Sequence, residues 1–132
     1  SEMNDIHKTI LGLQHIGIPT MDVQKTVDFY ALFGFEVIWQ RLEPAEDRVA
    51  FLKNGNCVLE TYFAARPAMQ NGAVDHVALD VADIEAVYAY VHELGFEVLE
   101  GKITTLPFFE NGVRYFTILG PNHEKVEFNQ KL

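Results

Sequence analysis

Apolar and polar positions first alternate, then recur at helical spacing, then alternate again, and the chain runs through this order twice. Leu13 to Ile18 alternates around His15 as a strand does. Thr20 or Asp22 then offers an N-cap before Val23, Val27, Tyr30 and Ala31, which fall on one side of a helix that Gly34 should end. Three strand-like runs follow, Phe35 to Arg41, Arg48 to Lys53 and Asn56 to Phe63, with Asn54-Gly55 as the hairpin signal before the last. In the second pass Val74 to Val81 is the opening strand and Asp83 the cap. Ile84, Val87, Tyr88, Val91 and Leu94 form the buried stripe, and Gly95 is the stop. Its strands are expected at Phe96 to Glu100, Arg114 to Leu119 and Glu124 to Gln130, with Gly120-Pro121-Asn122 as the final turn. Arg66-Pro67 through Asn71-Gly72 links the halves.

Each half therefore reads βαβββ, and the two are copies. Leu13-Gln14-His15-Ile16-Gly17-Ile18 matches Val74-Asp75-His76-Val77-Ala78-Leu79, and Gly34-Phe35-Glu36-Val37 matches Gly95-Phe96-Glu97-Val98. The spacing is far too long for a solenoid, so the repeat divides a single domain into two modules, about 10–65 and 73–130 of residues 1–132. The expected class is α+β: two βαβββ modules in pseudo-two-fold repeat, forming a cup-shaped mixed sheet with the helices outside.

Strand alternation sorts the side chains. Ile16 and Ile18 share one face and should meet the helix, which leaves His15 and Gly17 on the other. In the second copy Val77, Leu79 and Val81 fall together, opposite His76, Ala78 and Asp80. Each half also ends in a strand with a lone acid among apolar neighbours, Glu60 in Val58-Leu59-Glu60-Thr61-Tyr62 and Glu127 in Lys125-Val126-Glu127-Phe128. By the same parity both acids face the open side. Two His and two Glu recurring in register point to one shared metal site. Burying them together without a metal or a pairing cation such as Arg114 would carry a heavy desolvation cost.

Composition narrows the partners. At 132 residues, 48% hydrophobic and 22% charged, the chain is ordinary globular material, with no apolar run near the ~18–20 residues of a membrane span. A formal charge of -9 argues against nucleic acid, whose phosphates need Lys and Arg. The polar start, Ser1 to Thr9, is not a secretory leader, so a cytoplasmic location is the default. Cys57 is the single cysteine and, beside Val58 and Leu59, reads as a buried strand thiol. His7, His92 and His123 lie outside the repeat pattern and read as surface. Phe108 and Phe109, adjacent in the loop Leu106 to Gly112, either wall a substrate pocket or pack in a core or dimer interface. Trp39 and Tyr62 are further pocket candidates.

The set His15, Glu60, His76, Glu127, carried on the first and last strands of two βαβββ modules, resembles the vicinal oxygen chelate superfamily (glyoxalase, bleomycin resistance protein and dioxygenase), and within it the metal-dependent glyoxalase I group. The resemblance runs from Leu13 to Phe128 and includes Phe29-Tyr30 with Gly34-Phe35, and Gly120-Pro121-Asn122 before Glu127. It implies one divalent ion, Zn, Ni or Co first, Fe or Mn next, held by His15, Glu60, His76 and Glu127. It also implies lactoylglutathione lyase-like chemistry. The metal holds vicinal substrate oxygens and stabilises an enediolate, while Glu127, with Glu60 its symmetric counterpart, moves a proton between neighbouring carbons. A small-molecule substrate and a homodimer follow from the same resemblance.

The resemblance stops short of glutathione. Members that use it carry an Arg four residues after the first ligand and an Asn four after the second; here Pro19 and Ala64 stand there, and neither offers a side-chain donor. Extradiol dioxygenases and fosfomycin-resistance transferases typically use two His and one Glu, so the extra Glu60 argues against both. Acyl-CoA racemases need an insertion that the short Glu60 to His76 interval lacks. A metal-free binder of the bleomycin-resistance type is disfavoured by the presence of all four ligand residues.

Overall fold

The computed structural model describes residues 2–132. The chain divides into two compact units, one ending at Arg66 and the other beginning at Pro67. The first opens with a short helix α1 (Glu2–Thr9), in the stretch that the sequence presents only as a polar lead-in. It continues with β1 (Ile16–Thr20), α2 (Val23–Ala31), β2 (Glu36–Arg41), a single 3-10 turn (Ala45–Asp47), β3 (Val49–Asn54) and β4 (Cys57–Phe63). The second runs β5 (His76–Asp80), α3 (Ile84–Glu93), β6 (Thr104–Leu106), β7 (Val113–Leu119) and β8 (Lys125–Lys131). Both are βαβββ modules, with strand orders β1-β4-β3-β2 and β5-β8-β7-β6. In each sheet the first and last strands pair in parallel and the others antiparallel.

The helices form where the sequence places them. The Asp22 carboxylate accepts from the Lys25 amide at 3.0 Å, and Asp83 from the Ala86 amide at 3.1 Å. Each cap stabilises its helix by about 1 kcal/mol. Gly34 and Gly95 leave the helices at φ +80 and +85, which residues with a Cβ rarely adopt. Helix α2 packs on β3 and β4, and α3 on β7 and β8, so one face of each sheet is covered. The covered side of module one holds Ile18, Phe29, Tyr30, Leu52 and Leu59; that of module two holds Ile84, Val91, Phe116, Ile118, Val126 and Phe128, all buried.

Several boundaries differ from expectation, and in module two the opening strand begins late, at His76, and ends at Asp80. The opening strand of module one begins at Ile16, just after His15, and extends through Pro19 to Thr20 because its parallel partner β4 continues to Phe63. Pro19 is tolerated because β1 is an edge strand and no ladder amide is lost on its outer side. Phe96 to Glu100 is not a strand. Gly101, at φ +72, closes a turn onto the Val98 carbonyl at 3.0 Å, and the Glu100 side chain takes the Thr117 amide at 2.7 Å, a bond a neighbouring strand would otherwise accept. The second strand of module two is instead Thr104–Leu106, at the edge of what the sequence presents as a loop.

Candidate metal centre

The parallel pairing of first and last strands sets the same diagonal in both modules. Gly17 is opposite Glu60, and Ala78 is opposite Glu127. His15 and His76, each two residues earlier, thus lie beside the acid on the face that the helix leaves open. The small side chains at Gly17 and Ala78 keep that face clear; a Cβ on Gly17 would touch Tyr62 and Glu60 at 3.5 and 3.6 Å.

The resulting geometry repeats closely. His15 Nε2 lies 3.5 Å from Glu60 Oε1, and His76 Nε2 lies 3.5 Å from Glu127 Oε1. That is long for an N–H···O hydrogen bond. Two ligands of one ion, each at about 2.0–2.2 Å, sit about 3 to 3.5 Å apart, so the spacing suits shared coordination. The other ring nitrogen is tied down in both cases. His15 Nδ1 meets Gln14 Oε1 at 2.9 Å, and His76 Nδ1 meets Asp75 Oδ2 at 2.9 Å. Both acceptors are oxygens, so Nδ1 is the donor and Nε2 is the nitrogen that faces the acid, the orientation a metal-ligating His uses.

The two halves are not identical. The hydrogen bond from His76 holds the Asp75 carboxyl below its ordinary range, with Lys125 Nζ at 3.4 Å acting the same way. Glu127 is pinned by the Asn129 amide, which donates to Oε2 at 2.9 Å; the matching position in module one is Tyr62. Glu127 is also the less exposed acid, 14% against 27% for Glu60. Arg114 is not a counter-ion for these groups, since it pairs with Glu85 of helix α3. Within each module the ligand set is a pair, and no group of three or more His, Cys, Asp or Glu poised to hold a metal occurs among the described residues.

A cavity of about 380 Å³ opens on the free face of module one, with Trp39, Phe51, Glu60 and Tyr62 in its wall. Phe51 packs edge-on to His15, ring centroids 5.4 Å apart. Of the four aromatics singled out from sequence, Trp39 and Tyr62 line this cavity. Phe108 and Phe109 lie in the β6–β7 connection, exposed, with Lys131 Nζ 4.2 Å above the Phe109 ring. His7 and His92 are exposed, and His123 Nδ1 bonds the Met69 carbonyl at 2.9 Å. Cys57 is half-buried in β4, and burial raises its thiol pKa. Sequence reasoning missed Gln14, Asp75, Phe51 and Asn129. The first two were within reach, because a side-chain oxygen precedes His in both copies.

Residues 12–128 match the model of the Glyoxalase/Bleomycin resistance protein/Dioxygenase superfamily. The chain belongs to this superfamily. Its members include many enzymes as well as non-enzymatic resistance proteins; they bind small molecules, commonly use a divalent metal and often form dimers. Among its relatives is the uncharacterized protein YwbC of Bacillus subtilis (strain 168), 32% identical over 134 residues, covering 90% of this chain and 97% of that protein. The crystal structure of a glyoxalase family protein from Enterococcus faecalis is similar, with a TM-score of 0.73 and 26% identity over 92% of this chain and 98% of that one. A lactoylglutathione lyase from Agrobacterium tumefaciens shares the superfamily fold at a TM-score of 0.67 and 20% identity, over 91% and 93% of the two chains. No helix among the described residues is long and apolar enough to cross a membrane.

Proposed function

We propose that the protein is a glyoxalase I-like metalloenzyme, a lyase or isomerase that moves a proton between adjacent carbons of a small oxygenated substrate, with glutathione disfavoured by Pro19 and Ala64 standing where glutathione users carry Arg and Asn. The observation that carries this reading is the twofold repeat of the His Nε2 to Glu Oε1 spacing of 3.5 Å, with Nδ1 engaged by the preceding residue both times. Two imidazoles and two carboxylates, His15, Glu60, His76 and Glu127, make a donor set for one divalent ion such as Zn, Ni or Co, with Fe or Mn also suited. When bound, the ion would polarise substrate oxygens and acidify the neighbouring C–H. A carboxylate takes that proton and returns it one carbon along, Glu127 being the first choice and Glu60 its counterpart. The set is proposed to serve one ion within a chain or across a homodimer, in a single 1–132 domain working in the cytoplasm.

Metal analysis of protein purified without chelator tests this. About one ion per chain is expected, abolished by His76→Ala, with Glu127→Gln losing most proton-transfer activity. Absence of bound metal, together with no uptake of any of the five ions, would overturn the proposal. A second reading, a metal-free small-molecule binder, is favoured by the aromatic wall of the module-one cavity, and would then stand in its place.

A further inference from the structure

Two rows of side chains cross the open face of the first sheet. One runs Trp39, Phe51, Glu60, Gly17, each opposite the next; the adjacent row runs Arg41, Val49, Tyr62, Pro19. The members from β2, Trp39 and Arg41, join this face because of a bulge. Val37 pairs with Leu52 on the buried side, Trp39 already pairs with Phe51, and Ile38 is the extra residue between them. The bulge turns Trp39 and Arg41 toward the cavity that Glu60 lines. Trp39 and Phe51 meet edge-on at 6.2 Å, and Tyr62 adds a third ring to the wall.

Arg41 is the unused charge in this arrangement. Its Nε donates to the Asp47 carbonyl at 3.2 Å, which anchors the guanidinium. Glu46 and Asp47 also line the cavity, yet among the described residues Arg41 makes no ion pair with any carboxylate. Arg48 differs, since its Nε serves the Leu42 carbonyl at 2.8 Å and its Nη2 lies 3.8 Å from Glu43. An anchored guanidinium with free Nη donors is suited to bidentate carboxylate recognition. The flanking acids disfavour a ligand with several negative charges.

We propose that this cavity is a subsite for a monocarboxylate with a flat, unsaturated or aromatic body. Trp39, Phe51 and Tyr62 clasp the body, Arg41 binds the carboxylate, and the opposite end of the molecule lies toward Glu60. The inference rests on the metalloenzyme reading only for which end reacts; recognition by Arg41 needs no metal.

Trp39 is the sole tryptophan, so its fluorescence reports occupancy of the cavity directly. Cinnamate and benzoate, each compared with its uncharged amide, are titrated into the metal-loaded and the chelator-treated protein. Both acids should perturb Trp39, and each amide should bind at least about tenfold more weakly. Arg41→Gln should weaken the acids about tenfold or more and leave the amides unchanged, while Arg41→Lys restores part of the loss. Arg41 is exposed, so far-UV circular dichroism of the variants should match the parent. Equal binding of acid and amide, indifference to Arg41→Gln, or no response up to about 10 mM of either acid would overturn the subsite. Carboxylate binding that needs Arg41 and persists without metal supports the subsite even if the metalloenzyme reading fails. Binding that needs metal and ignores Arg41 would remove the subsite and leave the metal site standing.

Discussion

Gln14 and Asp75 show how much of a site depends on the residue beside the chemistry. Each engages Nδ1 of the following His and so fixes which nitrogen faces the acid, but Asp75 is a carboxylate held ionised by its partners and Gln14 is neutral. The second module should therefore present the stronger imidazole donor, because a charged acceptor on Nδ1 raises the basicity of Nε2. Under the metal reading, Asp75→Ala should lower metal affinity about 10- to 100-fold, and Gln14→Ala should lower it less, measured by competition against a chromophoric chelator. Equal losses would show that orientation alone, not charge, governs the pair. His15, His76, Glu60 and Glu127 were all legible from the repeat. Strand parity puts Asn129 on the same face as Glu127, but the bond between them depends on side-chain rotamers that parity does not specify.

At the scale of elements, the helices were the most legible parts. Their caps, apolar stripes and terminal glycines are local signals, and Asp22, Asp83, Gly34 and Gly95 all do what their residue types favour. Strands were less so, since their ends depend on partners distant in sequence. β1 extends through Pro19 because β4 does, and Phe96 to Glu100 is apolar enough for a strand but loses its ladder bond to the Glu100 side chain. The bulge at Ile38 is the element-scale feature on which the proposed carboxylate subsite depends most. Deleting Ile38 should restore plain alternation in β2 while keeping Val37 opposite Leu52 and leaving Trp39 opposite Phe51 and Arg41 opposite Val49 on the open face. The expected result is that the cinnamate-induced change in Trp39 fluorescence is retained along with the fold, checked by circular dichroism. A deletion variant that folds but no longer binds cinnamate would show that the local bend of the bulge, and not strand register alone, aims these residues.

For the whole molecule, each module has its own helix-covered core, and the face that holds the candidate His and Glu lies on the far side of the same strands. Stability and function are thus coupled through strand register. Phe116 is fully buried between Phe128 and Tyr88, with ring centroids 5.2 and 5.3 Å away. Phe116→Ala should destabilise the protein by about 3–5 kcal/mol, read as a lowered midpoint in urea unfolding. A loss under about 1 kcal/mol would mean that the core of module two closes over the gap. Sequence by itself determined the two βαβββ copies, the helix boundaries, the face on which each His and Glu lies, and the superfamily. All of these follow from local periodicity and from a repeat that can be compared with itself. Only the packed strands set the 3.5 Å approach of each His to its Glu, the bulge that turns Trp39 and Arg41 onto the face of Glu60, and the pairing of Arg114 with Glu85. These depend on register between strands far apart in the chain, and a one-residue change in register sends every side chain to the opposite face.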